Sequence, residues 1–293
     1  DPWGLSLIAG LVLKEVPFLL LMSLAALPQL VPEKRLMLAR SLGYSPTIAW
    51  LKTVLPSLYP LIRLPVYAVI AYATSVVDMA LILGPTLPPT LSVSILRWFN
   101  DPDISHRFMA SAAAVLQLGV TIAALLCWWL LEQLTRLLAR GWLTNGSRQR
   151  GEIALRVVGR SALLFASITA LAALVGLGLF SLAGFWRFPE LLPQMLTLDH
   201  WQRSGPMLVT PLVNTALIGL ISTTLATALV LTTLENEHRQ HIQPRRALWL
   251  LYLPLLVPQI AFLFGLIVAA ESLGVRPQLV WCITSWEHKY SLY

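Results

Sequence analysis

Apolar residues gather along this chain into long blocks separated by short polar stretches. The blocks run roughly Leu5–Leu27, Leu64–Leu83, Met109–Leu131, Ala162–Phe185, Pro211–Leu234 and Leu248–Ala270. Each is close to the about 20 residues that carry a helix across hydrocarbon. Only helices and closed barrels satisfy their backbone groups there, and unbroken apolar runs of this length favour helices. The pattern therefore predicts an all-α polytopic membrane protein with about six transmembrane helices. A seventh block begins at Gln278 and fails, because the tail "ITSWEHKYSLY" is polar and charged.

Between the first two blocks lies a stretch of another kind, "ARSLGYSPTIAWLKTVLP", residues 39–56. Pro28 and Pro32 end the first helix. Glu33 to Leu42 then reads as a short amphipathic helix closed by Gly43 in a left-handed cap. Ser45-Pro46 reads as an N-cap followed by proline at the first helical position. Residues 46–54 form a second short helix, which Leu55-Pro56 is expected to stop. The product is helix–Gly–helix–Pro with a basic, partly apolar surface. Such a surface docks on something, and both lipid headgroups and a protein groove remain open on physical grounds.

Composition agrees with the membrane reading. Of the 293 residues, 57% are hydrophobic and 12% charged, and mean hydropathy is +0.71, whereas soluble domains carry about a quarter charged residues. The net charge of +7 is uneven. Lys34, Arg35, Arg40, Lys52 and Arg63 fall in 28–63, six arginines from Arg136 to Arg160 fall in 132–160, and Arg239, Arg245 and Arg246 fall in 235–247. The alternate loops are poorer in Lys and Arg. Basic loops stay in the cytoplasm, which places 28–63 inside and the N-terminus outside. The charge reads as topology, and no compact basic domain exists to bind nucleic acid. Cys127 and Cys282 fall at opposite membrane faces, so neither a disulfide nor a cysteine metal site is expected.

Ala39-Arg40-Ser41-Leu42-Gly43, Ser45-Pro46 and Leu55-Pro56 together resemble the cytoplasmic "EAA" loop of type I binding-protein-dependent ABC importer permeases. Gly43 and Pro56 stand at the family spacing. The Glu-Ala-Ala positions fall on Met37-Leu38-Ala39, so the glutamate is absent. Further resemblance lies in "PVYAVIAYATSVVDMALILGPTLPPTL" (65–91), "LVNTALIGLISTTLATALVL" (212–231) and "YLPLLVPQIAFLFGL" (252–266). The resemblance implies that Ala39, Gly43, Tyr44, Ser45, Pro46, Leu55 and Pro56 couple to a separate ATP-binding subunit. It also implies an external solute-binding protein as partner, no cofactor, and a bacterial inner membrane location.

The order of the matching segments implies a fused permease with both halves on one chain. Residues 1–131 match the end of a first half, with the coupling loop at 28–60. Residues 132–160 are a cytoplasmic linker, and 161–293 match the start of a second half. No internal repeat is visible, as expected when equivalent parts barely overlap. The chain opens on Asp1-Pro2-Trp3 without a basic leader, so no cleavable signal peptide is expected, and it reads as a fragment.

Few residues offer chemistry. Lys14-Glu15 lies inside the first block, where charge must pair or face a cavity. Adjacent residues on a helix point about 100° apart, so the two cannot share one narrow path. Glu15 lines a pathway or is a packing partner. Asp78 meets substrate, caps a helix or is a hydrogen-bonded structural residue. Asp101 and Asp103 contact an external partner or are solvated. Asn214 and Thr215 read as polar glue between helices, and Pro254 and Pro258 as bends. Glu237, His238 and His241 lack the order of zinc hydrolases and read as a solvated loop. No catalytic or metal-binding set is expected. No phosphate loop of the GxxxxGK[ST] type occurs, which assigns ATP hydrolysis to another subunit. A secondary transporter or an integral-membrane lipid enzyme is the alternative, and the EAA-like loop argues against both.

The charge alternation generates the first prediction. In intact cells, an impermeant thiol reagent should label a cysteine introduced at position 101 or 199 and miss one at 45 or 147. Labelling of position 45 from outside would reverse the orientation.

Overall fold

The computed structural model describes residues 3–146, 152–184, 193 and 195–240, with Phe262, Leu263, Gly265, Leu266 and Ala269. Apart from those five positions, the sixth expected span, with Pro254 and Pro258, lies outside the described residues. So do the block at Gln278, Cys282, His241 and the side chains of Glu237 and His238. Five described helices are long and apolar enough to cross a membrane: Leu5–Leu30, Pro46–Ser75, Ser105–Thr144, Arg156–Leu182 and Asp199–Asn236. The all-α class read from the pattern is the observed one. Residues 1–160 and 161–248 belong to two different compact units.

In the first unit, α1 (Leu5–Ala26) packs against α4 (Leu55–Ser75) and α5 (Asp78–Leu83). Helix α7 (Ile104–Thr144) packs against α4 and α6 (Leu91–Phe99). Gly10 permits the close approach of α1 to α5, since a Cβ there would stand 2.6 Å from Leu83 Cδ1. The buried apolar residues are mostly alanine, among them Ala26, Ala71, Ala80, Ala110, Ala113 and Ala114. Large ones such as Leu20, Leu126 and Leu130 face outward. Small residues at contacts and large ones toward lipid are how helices associate where no hydrophobic gradient drives them.

The second expected span differs from Leu64–Leu83 at both ends. At one end, helical structure begins at Pro46 with α3 (Pro46–Ala49) and runs through a turn of π-helix, Trp50–Val54, into α4. Leu55-Pro56 therefore does not stop the helix. The N–H of Leu55 reaches back five residues to the carbonyl of Trp50. This widened turn sits just before Pro56, which has no N–H to give. At the other end, α4 stops at Ser75 and α5 starts afresh at Asp78. The break frees carbonyls from the helix ladder, and polar side chains take them. Gln117 Nε2 donates to Thr74 O at 2.6 Å, and Ser92 Oγ donates to Val76 O at 2.7 Å. Both donors belong to buried residues. Irregular backbone at this depth is tolerated where neighbouring helices satisfy it.

Helix α7 has 41 residues, about 60 Å at 1.5 Å per residue. It continues from the expected boundary at Leu131 to Thr144, so the first part of 132–160 is helix. Its far end approaches residues 44–52. Its near end lies with α6 and Asp101–Asp103. Two Lys/Arg-rich stretches, 28–63 and 132–146, thus share one end of the unit.

In the second unit, α8 (Glu152–Leu182) continues from Ser161, and α9 spans Asp199–Gln240 with Pro206 and Pro211 inside it. The fifth span thus begins upstream of the expected start at Pro211. A single backbone pairing joins Ala183 to Leu196, with Thr197 N–H donating to Leu182 O at 2.7 Å. Thr215 Oγ1 donates to Pro211 O of its own helix at 2.8 Å.

Asp101 and Asp103 build the start of α7. The N–H of Asp103 donates to Asp101 Oδ1, and the N–H of Ser105 to Asp103 Oδ1. His106 lies 3.0 Å from Asp101. These backbone donors, with His106 adding to the effect on Asp101, hold both carboxyls below the usual carboxylate range. A depressed folded pKa contributes stability that is present above the unfolded carboxylate's pKa and is lost as pH falls through the folded one. Amide hydrogen exchange in the first turn of α7 should therefore quicken in Asp103→Ala at neutral pH. The wild type should converge on the variant in acid. Identical exchange in both proteins at neutral pH would remove the carboxylate from this role.

Candidate functional site

The expected coupling residues form one built turn. Helix α2 (Pro32–Ser41) ends with the N–H of Gly43 on Arg40 O at 2.9 Å and the N–H of Tyr44 on Ala39 O at 3.2 Å. This is a Schellman closure. Gly43 has φ +84°, where a side chain is strained. Ala39 is buried on α2, which packs against α3 and the π turn. The chain then turns at Ser45, whose carbonyl accepts from Ala49 N–H at 2.8 Å. Ser45 takes the N-cap backbone position, but its hydroxyl makes no cap bond, contrary to expectation. Buried Ser45 Oγ has no hydrogen-bond partner among the described residues. Leu42, Gly43 and Pro46 remain exposed. At the family's glutamate position, Met37 is also exposed.

Lys52 fastens this turn to α7. Its ammonium lies 5.3 Å from the ring centroids of both Tyr44 and Trp142, and Nζ donates to Asn145 O just past the helix C-terminus. A cation suits that position, since the last carbonyls of a helix lack partners and carry its negative dipole end. Leu55 and Pro56 lie further along, on the wall of an apolar groove between α4 and α7. The seven expected residues therefore split, with Ala39 to Pro46 forming the turn and Leu55-Pro56 the continuing helix.

A polar cluster that the sequence reading did not single out secures α4 to α7. Glu132 is 5% exposed. Tyr59 donates to its Oε1 at 2.6 Å, and Trp128 Nε1 donates to Tyr59 Oη at 2.9 Å. Arg63 pairs with Oε2 at 2.9 Å, and Arg136 approaches it at 3.7 Å. Arg63 also donates to Tyr67 Oη at 3.0 Å. One signal was available: Glu132 is the one acidic residue between Asp103 and Glu152. Its partners on α4 come from 69 to 73 residues away and have no such mark.

The two candidate pathway carboxylates are not brought together. Lys14, rather than Glu15, faces α4. Its ammonium lies 4.2 Å from the Tyr72 ring centroid and bonds Tyr72 Oη, which donates to Asp78 Oδ1 at 3.4 Å. Asp78 sits in the first turn of α5, where a carboxylate suits the helix dipole. Half-buried Glu15 has no hydrogen bond or ion pair among the described residues. Cys127 is a free, exposed thiol. Among the described residues no group of His, Cys, Asp and Glu has the makings of a metal site.

The Glu132 cluster is testable by thermal unfolding in detergent. Glu132→Leu leaves Tyr59, Arg63 and Arg136 without their carboxylate and should cost about 1–3 kcal/mol. The pair Arg63→Met with Glu132→Leu should recover part of that loss. A single variant as stable as wild type would show that the cluster does not hold α4 to α7.

No family model and no solved structure matches the chain. It is 29% identical over 293 residues to the inner membrane ABC transporter permease protein YnjC of Escherichia coli (strain K12). The match covers 98% of this chain and 50% of that relative, so the chain spans about half the relative's length. Along nearly its whole length, then, the chain is similar to part of an inner membrane ABC transporter permease.

Proposed function

We propose that this chain is part of the transmembrane permease of an ATP-driven importer in a bacterial inner membrane. It is a transport subunit, with ATP hydrolysis carried by a separate ATP-binding subunit. An external solute-binding protein delivers a small solute. Residues 1–131 are the end of one permease half, 132–160 the cytoplasmic joint, and 161–293 the start of the next. The similarity to YnjC over 98% of the chain supports the permease reading.

One observation carries the coupling role: the turn at Gly43 is both exposed and mechanically tied. Leu42, Gly43 and Pro46 offer an outward face. Behind it, Lys52 joins the turn to the end of α7, and the unbroken helical path from Pro46 joins it to α4. A push on the turn therefore reaches two spans. ATP binding shifts the transporter between states only if the ATPase binds the turn differently in each. Glu15, which lacks a partner among the described residues, faces the translocation path or meets a group elsewhere in the assembled permease.

The test uses full-length protein in membranes with its ATPase. Gly43→Val forces a β-branched residue into positive φ, and Tyr44→Asp removes the ring beneath Lys52. Both should insert normally. They should lose ATPase pull-down or substrate-stimulated ATP hydrolysis by roughly ten-fold or more, the effect of about 1.4 kcal/mol. If both variants bind the ATPase, hydrolyse ATP and transport as wild type does, the stretch is an interfacial helix and the coupling reading is wrong.

A further inference from the structure

The groove between α4 and α7 has a volume of about 670 Å³, within the range that takes small ligands. Its lining changes along its length. Leu55, Leu131 and Leu143 make it apolar, Trp128 and Trp142 stand toward its two ends, and Arg136 and Arg140 also line it. The two arginines are four residues apart and lie on the same face of α7. Glu132 is held at 2.9 Å by Arg63, so Arg136, at 3.7 Å, is its looser partner. Arg140 has no carboxylate within ion-pair distance among the described residues. The groove thus joins an apolar trough to a cationic end whose charge the described residues do not fully balance.

Its depth decides the occupant. Trp128 lies within the apolar block ending at Leu131, and Arg136, Arg140 and Trp142 lie beyond it. The groove therefore starts in hydrocarbon and opens into the headgroup layer, where tryptophans and arginines gather. A water-soluble partner cannot enter the first half, and an uncharged lipid leaves Arg140 without an anion among the described residues. We propose that this groove binds one anionic phospholipid of the inner leaflet, its phosphate on Arg136 and Arg140 and an acyl chain along Leu55 and Leu131. Basic pockets between transmembrane helices on the cytoplasmic side recognise anionic headgroups in this way. The lipid would fill the gap between α4 and α7 next to the Lys52 contact and brace the end of α7 that carries it. The inference needs only the membrane-spanning fold and does not rest on the permease reading.

The test is native mass spectrometry of the full-length protein, purified from vesicles of equal phosphatidylglycerol and phosphatidylcholine, without ATPase or ATP. Wild type should retain phosphatidylglycerol selectively. Arg136→Gln with Arg140→Gln should lose roughly ten-fold or more of that retention. Arg136→Lys with Arg140→Lys should keep most of it, which separates charge from misfolding. Lys34→Gln, exposed on α2 away from the groove, should match wild type. Excess inorganic phosphate should not displace the lipid. Equal retention by wild type and the double glutamine variant would overturn the proposal. So would displacement by phosphate, which marks a free-anion site, or no lipid on the wild type, which means another part of the protein covers the groove.

Discussion

The basic end of the first unit depends on one buried carboxylate. Glu132 sits where α7 leaves the apolar layer, and it gathers Tyr59, Arg63 and Arg136 around it. A charge at this depth is costly alone and tolerable only when paired and hydrogen-bonded. Because its partners come from α4, the carboxylate fixes which face of α4 meets α7. The positions of Lys52, of the turn at Gly43 and of the groove wall all follow from that docking. The contact works as a clamp more than as a source of net stability, since buried ion pairs barely offset their desolvation.

The opposite end obeys the same rule with neutral groups. Helix α4 breaks at Ser75, and the freed carbonyls are met by Gln117 and Ser92. The break lets α5 turn under α1, where Gly10 makes room for Leu83 and Met79. Between the polar contacts at each end, the helices meet through alanines. Polar bonds set register and small residues allow approach, a division expected where lipid competes equally for apolar surface.

Much of this was legible in the sequence. Blocks of about 20 apolar residues marked five described helices, because length and hydropathy are local properties. The Gly43 turn was readable because a Schellman closure is written in adjacent residues. Leu55-Pro56 misled, because a proline is expected to stop a helix and the π turn that accommodates Pro56 has no reliable sequence mark. The second span was read as one helix for a related reason. Valines at 76 and 77 do not announce a break, and the donors that permit it lie 16 and 43 residues away. Glu132 was missed since its meaning depends on partners in another helix. Glu15 and Asp78 were noticed for their charge, but charge alone did not say that Lys14 would bond Tyr72 and Tyr72 would bond Asp78.

The central claim is that the Gly43 turn is a contact surface for an ATPase subunit, held in place by α7. Its most direct measurement is site-specific crosslinking from Leu42→Cys, an exposed position beside the turn, in full-length protein within native membranes. A short bifunctional thiol-reactive linker should join position 42 to the ATP-binding subunit, with a yield that changes between ATP-bound and nucleotide-free states. Reaction of position 42 with lipid-phase probes alone, and no crosslink to an ATP-binding subunit in either state, would contradict the account.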